Sequence, residues 1–350
     1  MRPYHSSTFN QTHHSSKGDL PMKQITLFFT IIMACSITHA AIITVDNKTP
    51  SVGQYKTLQE AHDAANDGDT LYVCPSETVY EAFTVDKKLS IFGTGHSRPG
   101  ERMSTTTING NISFNEGSDG ASLKGFSGYF TIVINANDII IKKNRIRRIT
   151  VNENHKGTVI LQNYVYEFSD QYLATIKSNN EVFISNNIFI NKRDCGKSIS
   201  AQFKDISITV INNIFINHVR DSRSNSLYIL NANIFVANNI FISGNIQKTS
   251  DNFYNNMSNS TQLPSGNGNL TNIDMSKVFI DPTKDFHLLE DSPAKGAGID
   301  GVDMGIYGGS TPYVDDGKPS LPSIIKLKTD HSASQAHGLE IEIQAISNTE

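Results

Sequence analysis

"SNNIFIN" occupies residues 185–191, "INNIFIN" residues 211–217 and "ANNIFIS" residues 237–243. Their second asparagines, Asn187, Asn213 and Asn239, are 26 residues apart (213 − 187 and 239 − 213). A fixed period of this length marks a repeat architecture, in which one unit cannot bury its apolar face but a stack of units can. The same frame fits Asn163 in "VILQNYVYE" and Asn144 in "IIIKKNRIRR". Three and five residues before each anchor stand Ile141 and Ile139, Ile160 and Thr158, Ile184 and Val182, Val210 and Ile208, Val236 and Ile234. Two residues after it stand Ile146, Val165, Phe189, Phe215 and Phe241. Each unit therefore reads strand, asparagine corner, strand, with alternation of period two on both sides.

Stacking places equivalent positions above one another at the strand spacing of about 4.8 Å. The phenylalanines become a core column and the asparagines a hydrogen-bonded ladder, as in other in-register stacks. Asparagine also tolerates the left-handed backbone of a sharp corner. The predicted class is all-β: a single-stranded right-handed parallel β-helix. A leucine-rich solenoid is the alternative, but no LxxLxL frame is present.

The bulk numbers agree. The chain has 350 residues, a formal net charge of −4 and no tryptophan. Basic residues dominate no long stretch, so nothing points to a nucleic acid partner. The cysteines, Cys35, Cys74 and Cys195, form no CxxC pair and no metal-ligand spacing.

The start of the chain reads as a targeting segment. Residues 1–21 are polar and read as an upstream extension before Met22. Lys23 and the apolar run Ile25–Ala34 form a signal peptide over 22–40, too short to span a bilayer, with cleavage after Ala40. "IMAC" is also similar to a bacterial lipobox, which would make Cys35 a lipidated terminus. Both readings place the protein outside the cytoplasm, secreted, periplasmic or at the cell surface, with no transmembrane span.

The two ends of the stack carry cap signals. Thr57 and Glu60 form a capping box, and Leu58, Ala61 and Ala65 share one helix face before Gly68. A helix there covers an otherwise open sheet edge. This stretch, with "GDT" at 68–70 and "LSIFGTG" at 89–95, resembles the N-terminal cap of the pectate-lyase-like superfamily. "DFHLLEDSPAKGAGIDGVDMGIYGG" at 285–309 resembles the closing segment of bacterial secreted β-helix proteins. The resemblance covers about residues 42–310 and implies the fold, with contact to extracellular or cell-surface polysaccharide as the expected role. After it, 311–323 reads as a Pro/Gly/Ser-rich linker and 324–350 as a hairpin-like tail. Lys326 and Lys328 are expected to face Glu340 and Glu342, with Ile325, Leu327, Leu339, Ile341 and Ile343 apolar.

Candidate chemistry lies on the loops after the anchors, "EFSDQY", "NKRDCGK" and "NHVRDSRS". Asp170, Asp194 and Asp221 fall seven or eight residues past their anchors and would form a column on one flank, a candidate Ca²⁺ site. Asp194, Asp221, Arg220 and Lys192 are the catalytic candidates, and His218 beside them is a substrate-binding candidate. The plain alternative is a set of solvated polar loops. The motifs that the resemblance implies for a polygalacturonase, "NTD", "GHG" and "RIK", are absent, and "DD" occurs only at Asp315–Asp316.

A second candidate is the outward face after the corner. It carries Arg145 and Arg147, Tyr164 and Tyr166, then Ile188, Ile190, Ile214, Ile216, Ile240 and Ile242. Six outward isoleucines exceed what a monomer leaves bare. The expected cover is the tail's Leu339, Ile341 and Ile343, which would leave Arg145, Arg147, Tyr164 and Tyr166 to meet an acidic sugar. The expected function is binding or structural, in a monomer that contacts polysaccharide; the alternative is a Ca²⁺-assisted polysaccharide lyase or a glycoside hydrolase.

Overall fold

The computed structural model describes residues 40–96, 105–168, 172–177, 179–202, 205–217, 223–248, 252–329 and 341–347. Residues 1–39 lie outside the described part, and with them the upstream extension, nearly all of the signal segment, and Cys35.

The chain winds into a right-handed parallel β-helix. One coil is representative: strand Glu181–Ser185, corner, strand Ile188–Asn191, loop, strand Lys197–Ala201, then the next coil at Ser207–Ile211. Stacked coils build three parallel sheets of ten, six and nine strands. The ten-stranded sheet runs from Ile42–Val45 to Phe253–Tyr254, and the six-stranded sheet from Arg145–Ile146 to Met257–Ser258. The nine-stranded sheet closes the third side. Every pairing between coils is parallel, which a continuous solenoid enforces because each strand must recur one turn later in the same direction.

The anchor frame is correct. Phe189 pairs with Phe215 and Phe215 with Phe241 across the six-stranded sheet. All three are fully buried, with ring centroids 5.2 and 4.9 Å apart and planes within 8° of parallel. The ladder also forms, and it is longer than the five anchors. Asn144, Asn163, Asn187, Asn213 and Asn239 continue into Asn256 and Asn269, each side-chain amide donating to the next Oδ1 at 3.0–3.1 Å.

One detail of the corner differs from expectation. The left-handed backbone belongs to the residue before each anchor: Lys143, Gln162, Asn186, Asn212 and Asn238 have φ of 52–58°. The two asparagines of "NN" therefore divide the work. The second points inward and carries the ladder; the first makes the turn and points outward.

What the outward asparagines hold is the closing segment. Asn255 donates to Ala297 O, and Asn238 Oδ1 accepts from the Ile299 amide. Asn212 donates to Asp303 O and Gly305 O, Asn186 to Ile306 O and Gly308 O, and Gln162 to Thr311 O and Pro312 O. The strap so formed climbs back towards the N-terminal coils, where Lys143 Nζ meets Ser320 Oγ and the His96 amide donates to Asp316 O. Gly308 must be glycine here, because a Cβ would overlap Asp303 O and the Asn212 amide. Residues 311–321 are thus the top of this strap.

The isoleucine stripe is covered, though by a different segment than expected. Ile188, Ile190, Ile214 and Ile240 are at most 7% exposed beneath Met275, Phe279, Phe286, Met304, Ile306 and Tyr313. The expected cover, Ile341 and Ile343, is more than half exposed in the terminal hairpin Pro322–Thr329/Ile341–Ser347. The closing segment covers the stripe because the strap ties it to the corner beside it. In that hairpin Lys328 lies opposite Glu342, as expected, and Lys326 opposite Gln344; Leu339 and Glu340 lie outside the described residues.

At the N-terminal end the helix Leu58–Ala64 has the capping box of Thr57 and Glu60, and Leu58, Ala61 and Ala65 are buried. Among the described residues no helix is long and apolar enough to cross a membrane.

Candidate functional site

The lid does not close fully over the six-stranded sheet. Between them lies a cleft of about 820 Å³. The sheet supplies its floor with Tyr164, Tyr166, Ile190, Ile216 and Ile242. The hairpin Phe279–Asp281/Asp285–Leu288 supplies one wall through Pro282, Lys284, Asp285, Phe286 and His287. The strap continues that wall through Tyr307, Tyr313 and Asp315. Alternation in the strands decides which side chains face it: residues one and three past each anchor point outward while residue two fills the core.

Arg145 sits over two floor rings, 5.2 Å from the Tyr164 centroid and 5.1 Å from that of Tyr166. Tyr164 and Tyr166 are themselves 5.8 Å apart, and Phe168 continues the row 6.0 Å further on with its ring 57% exposed. Lys192 reaches over Phe168 at 5.4 Å. The result is an aromatic platform edged by cations. Burial pushes the Tyr164 hydroxyl above its ordinary pKa, with the Arg145 charge opposing, so it stays a neutral donor.

The opposite wall carries an acid–base cluster. His287 Nδ1 lies 2.6 Å from Asp285 Oδ1, and since an ionised carboxylate only accepts, Nδ1 carries the proton. Nε2 lies 3.7 Å from Asp315 Oδ2, beyond hydrogen-bond distance. The Tyr307 hydroxyl donates to Asp315 Oδ1 at 2.5 Å, and its ring stacks on His287 at 4.2 Å and 17°. Burial first, then the Asp315 bond and charge, push Tyr307 well above the usual tyrosine range; burial does the same for Tyr313.

Of the residues singled out from the sequence, Arg145, Tyr164, Tyr166 and Lys192 come together in this cleft. Arg147 is held just beside it, its Nε 2.5 Å from the buried Glu167 carboxylate, which also accepts from the Tyr129 hydroxyl. Asp194 stands exposed in a turn and does not line the cleft. Asp170, His218, Arg220 and Asp221 lie outside the described residues. Among the described residues no group of three or more His, Cys, Asp or Glu side chains is placed to hold a metal.

Asp285, His287, Tyr307 and Asp315 were not anticipated. A faint signal existed: in "DFHL" the i, i+2 spacing puts Asp285 and His287 on one strand face. Asp315 belongs to the "DD" pair that the sequence places in a linker, and only the path of the strap brings it to the site.

Fold and cleft together define a parallel β-helix with a strap-covered lateral pocket. The chain is similar to the crystal structure of pectate lyase Pel9A, at 12% sequence identity and a TM-score of 0.37, over 77% of this chain and 96% of that one. No family model matches the sequence, and no curated protein matches it.

Proposed function

We propose that this chain is an extracytoplasmic β-helix protein that binds an acidic saccharide in the lateral cleft. The observation that carries the reading is the platform of Tyr164 and Tyr166 under Arg145. Tyrosine faces match the C–H faces of a pyranose ring, and the guanidinium suits a uronate carboxylate. The volume falls within the range of small-ligand pockets. Calorimetry with short oligouronides tests it. Binding that weakens about tenfold or more in Tyr166→Ala and Arg145→Gln is the expected result; unchanged binding in both overturns the site.

A second reading, cleavage, is favoured by one observation: the ordered set Asp285–His287 and Tyr307–Asp315 across from the platform. An imidazole oriented by a carboxylate is one part needed for acid–base chemistry on a glycosidic bond. If the site cuts, His287→Gln retains binding but abolishes product, read as unsaturated uronate absorbance for elimination or as reducing ends for hydrolysis.

A further inference from the structure

The two ends of the cleft differ in chemistry, and the register of the stack sets the order. In the first outward row Arg145 pairs with Tyr164 and Tyr164 with Ile188. In the second, Tyr166 pairs with Ile190 and Ile190 with Ile216, with Ile242 one coil further. The cleft therefore runs from a cationic aromatic end to an aliphatic end. From Tyr166 to Ile242 is three coil spacings, about 14 Å.

The lid treats the two rows differently. Ile188, Ile214 and Ile240 of the first row are sealed, at most 3% exposed. In the second row Ile216 and Ile242 remain half-buried and line the cleft. A purely hydrophilic sugar on the tyrosines would leave this trough against water. An apolar chain would fill it, while Arg145 and Lys192 at the other end favour a negative head.

We infer that the cleft takes an amphiphile: an anionic sugar on the Arg145–Tyr166 end whose alkyl or acyl chain lies along Ile190, Ile216 and Ile242. This rests on the saccharide reading and specifies its ligand class.

The test is calorimetry of the whole protein with butyl, hexyl and octyl glucuronides below their micellar concentrations, beside octyl glucoside and an unsubstituted oligouronide. Affinity should rise about two- to fourfold per methylene until the chain reaches Ile242, following the transfer free energy of a buried CH₂. The double variant Ile216→Thr/Ile242→Thr keeps β-branching at both positions and should flatten that rise. Octyl glucoside should bind at least tenfold more weakly than octyl glucuronide. Affinity independent of chain length, with the oligouronide still bound, overturns the amphiphile and leaves the saccharide site standing. Equal binding of glucoside and glucuronide overturns the anionic head. Binding of none of these probes overturns both readings together.

Discussion

Asn212 and Asn213 are neighbours in sequence and face opposite sides of the coil wall. The Asn212 amide donates outward to Asp303 O and Gly305 O of the strap. The Asn213 amide donates to Asn239 Oδ1 inside, and its own Oδ1 accepts from Asn187. Replacing each should give separate signatures. Asn213→Ala orphans buried groups on the coils above and below and should cost about 2–4 kcal/mol. Asn212→Gly keeps the positive φ and loses only the strap bonds, about 1 kcal/mol. Asn212→Ala adds about 1 kcal/mol for left-handed backbone strain. Urea midpoints of the three variants check the order.

The phenylalanine column is continuous through three coils, so a truncation in its middle leaves a cavity that neighbouring coils cannot fill. Phe215→Ala should cost about 3–5 kcal/mol by urea denaturation. A cost below 1 kcal/mol would mean that the column does not hold the coils together.

The strap and the terminal hairpin should separate on truncation. A chain ending at Leu321 keeps Tyr313, Asp315 and the Ser320 contact, and should match the full chain in melting temperature and in oligouronide affinity. A chain ending at Gly309 loses Tyr313 and Asp315 from the cleft and the cover that the buried Tyr313 provides. It should melt several degrees lower and bind weakly. Equal behaviour of both shortened chains would show that the upper strap contributes nothing.

Alkaline stability should report on Tyr80. Burial raises its pKa from 10.0 to about 12, and its hydroxyl donates to Cys74 O at 2.9 Å. Because the folded value exceeds the unfolded one, the contribution is complete below pH 10.0 and is lost between pH 10.0 and about 12, as the unfolded chain releases its proton first. Tyr80→Phe should flatten the fall in urea midpoint across that window.

The stack was legible because its determinants repeat. Strand alternation around Asn187, Asn213 and Asn239 sets the coil, the register and the inward phenylalanines, and Thr57 with Glu60 sets the cap helix. The aromatic end of the cleft was legible for the same reason, since Tyr164 and Tyr166 occupy the outward positions of a known frame. The cover was not. Residues 275–321 repeat nothing, and their place depends on backbone carbonyls meeting Gln162, Asn186 and Asn212, which leaves no side-chain pattern in the strap itself. His287 and Asp315 come together through that path alone.

The strap also imposes an order in time. Each coil contacts the coil made just before it, 17 to 26 residues away along the ladder from Asn187 to Asn256. The strap contacts partners 149 residues away at Gln162–Thr311 and 177 at Lys143–Ser320. Coils can therefore assemble by growth from one end, while the segment that seals the isoleucines docks only on a finished surface. It is also the last part of the β-helix to be synthesised, so a growing chain carries its apolar flank bare until the final turns arrive.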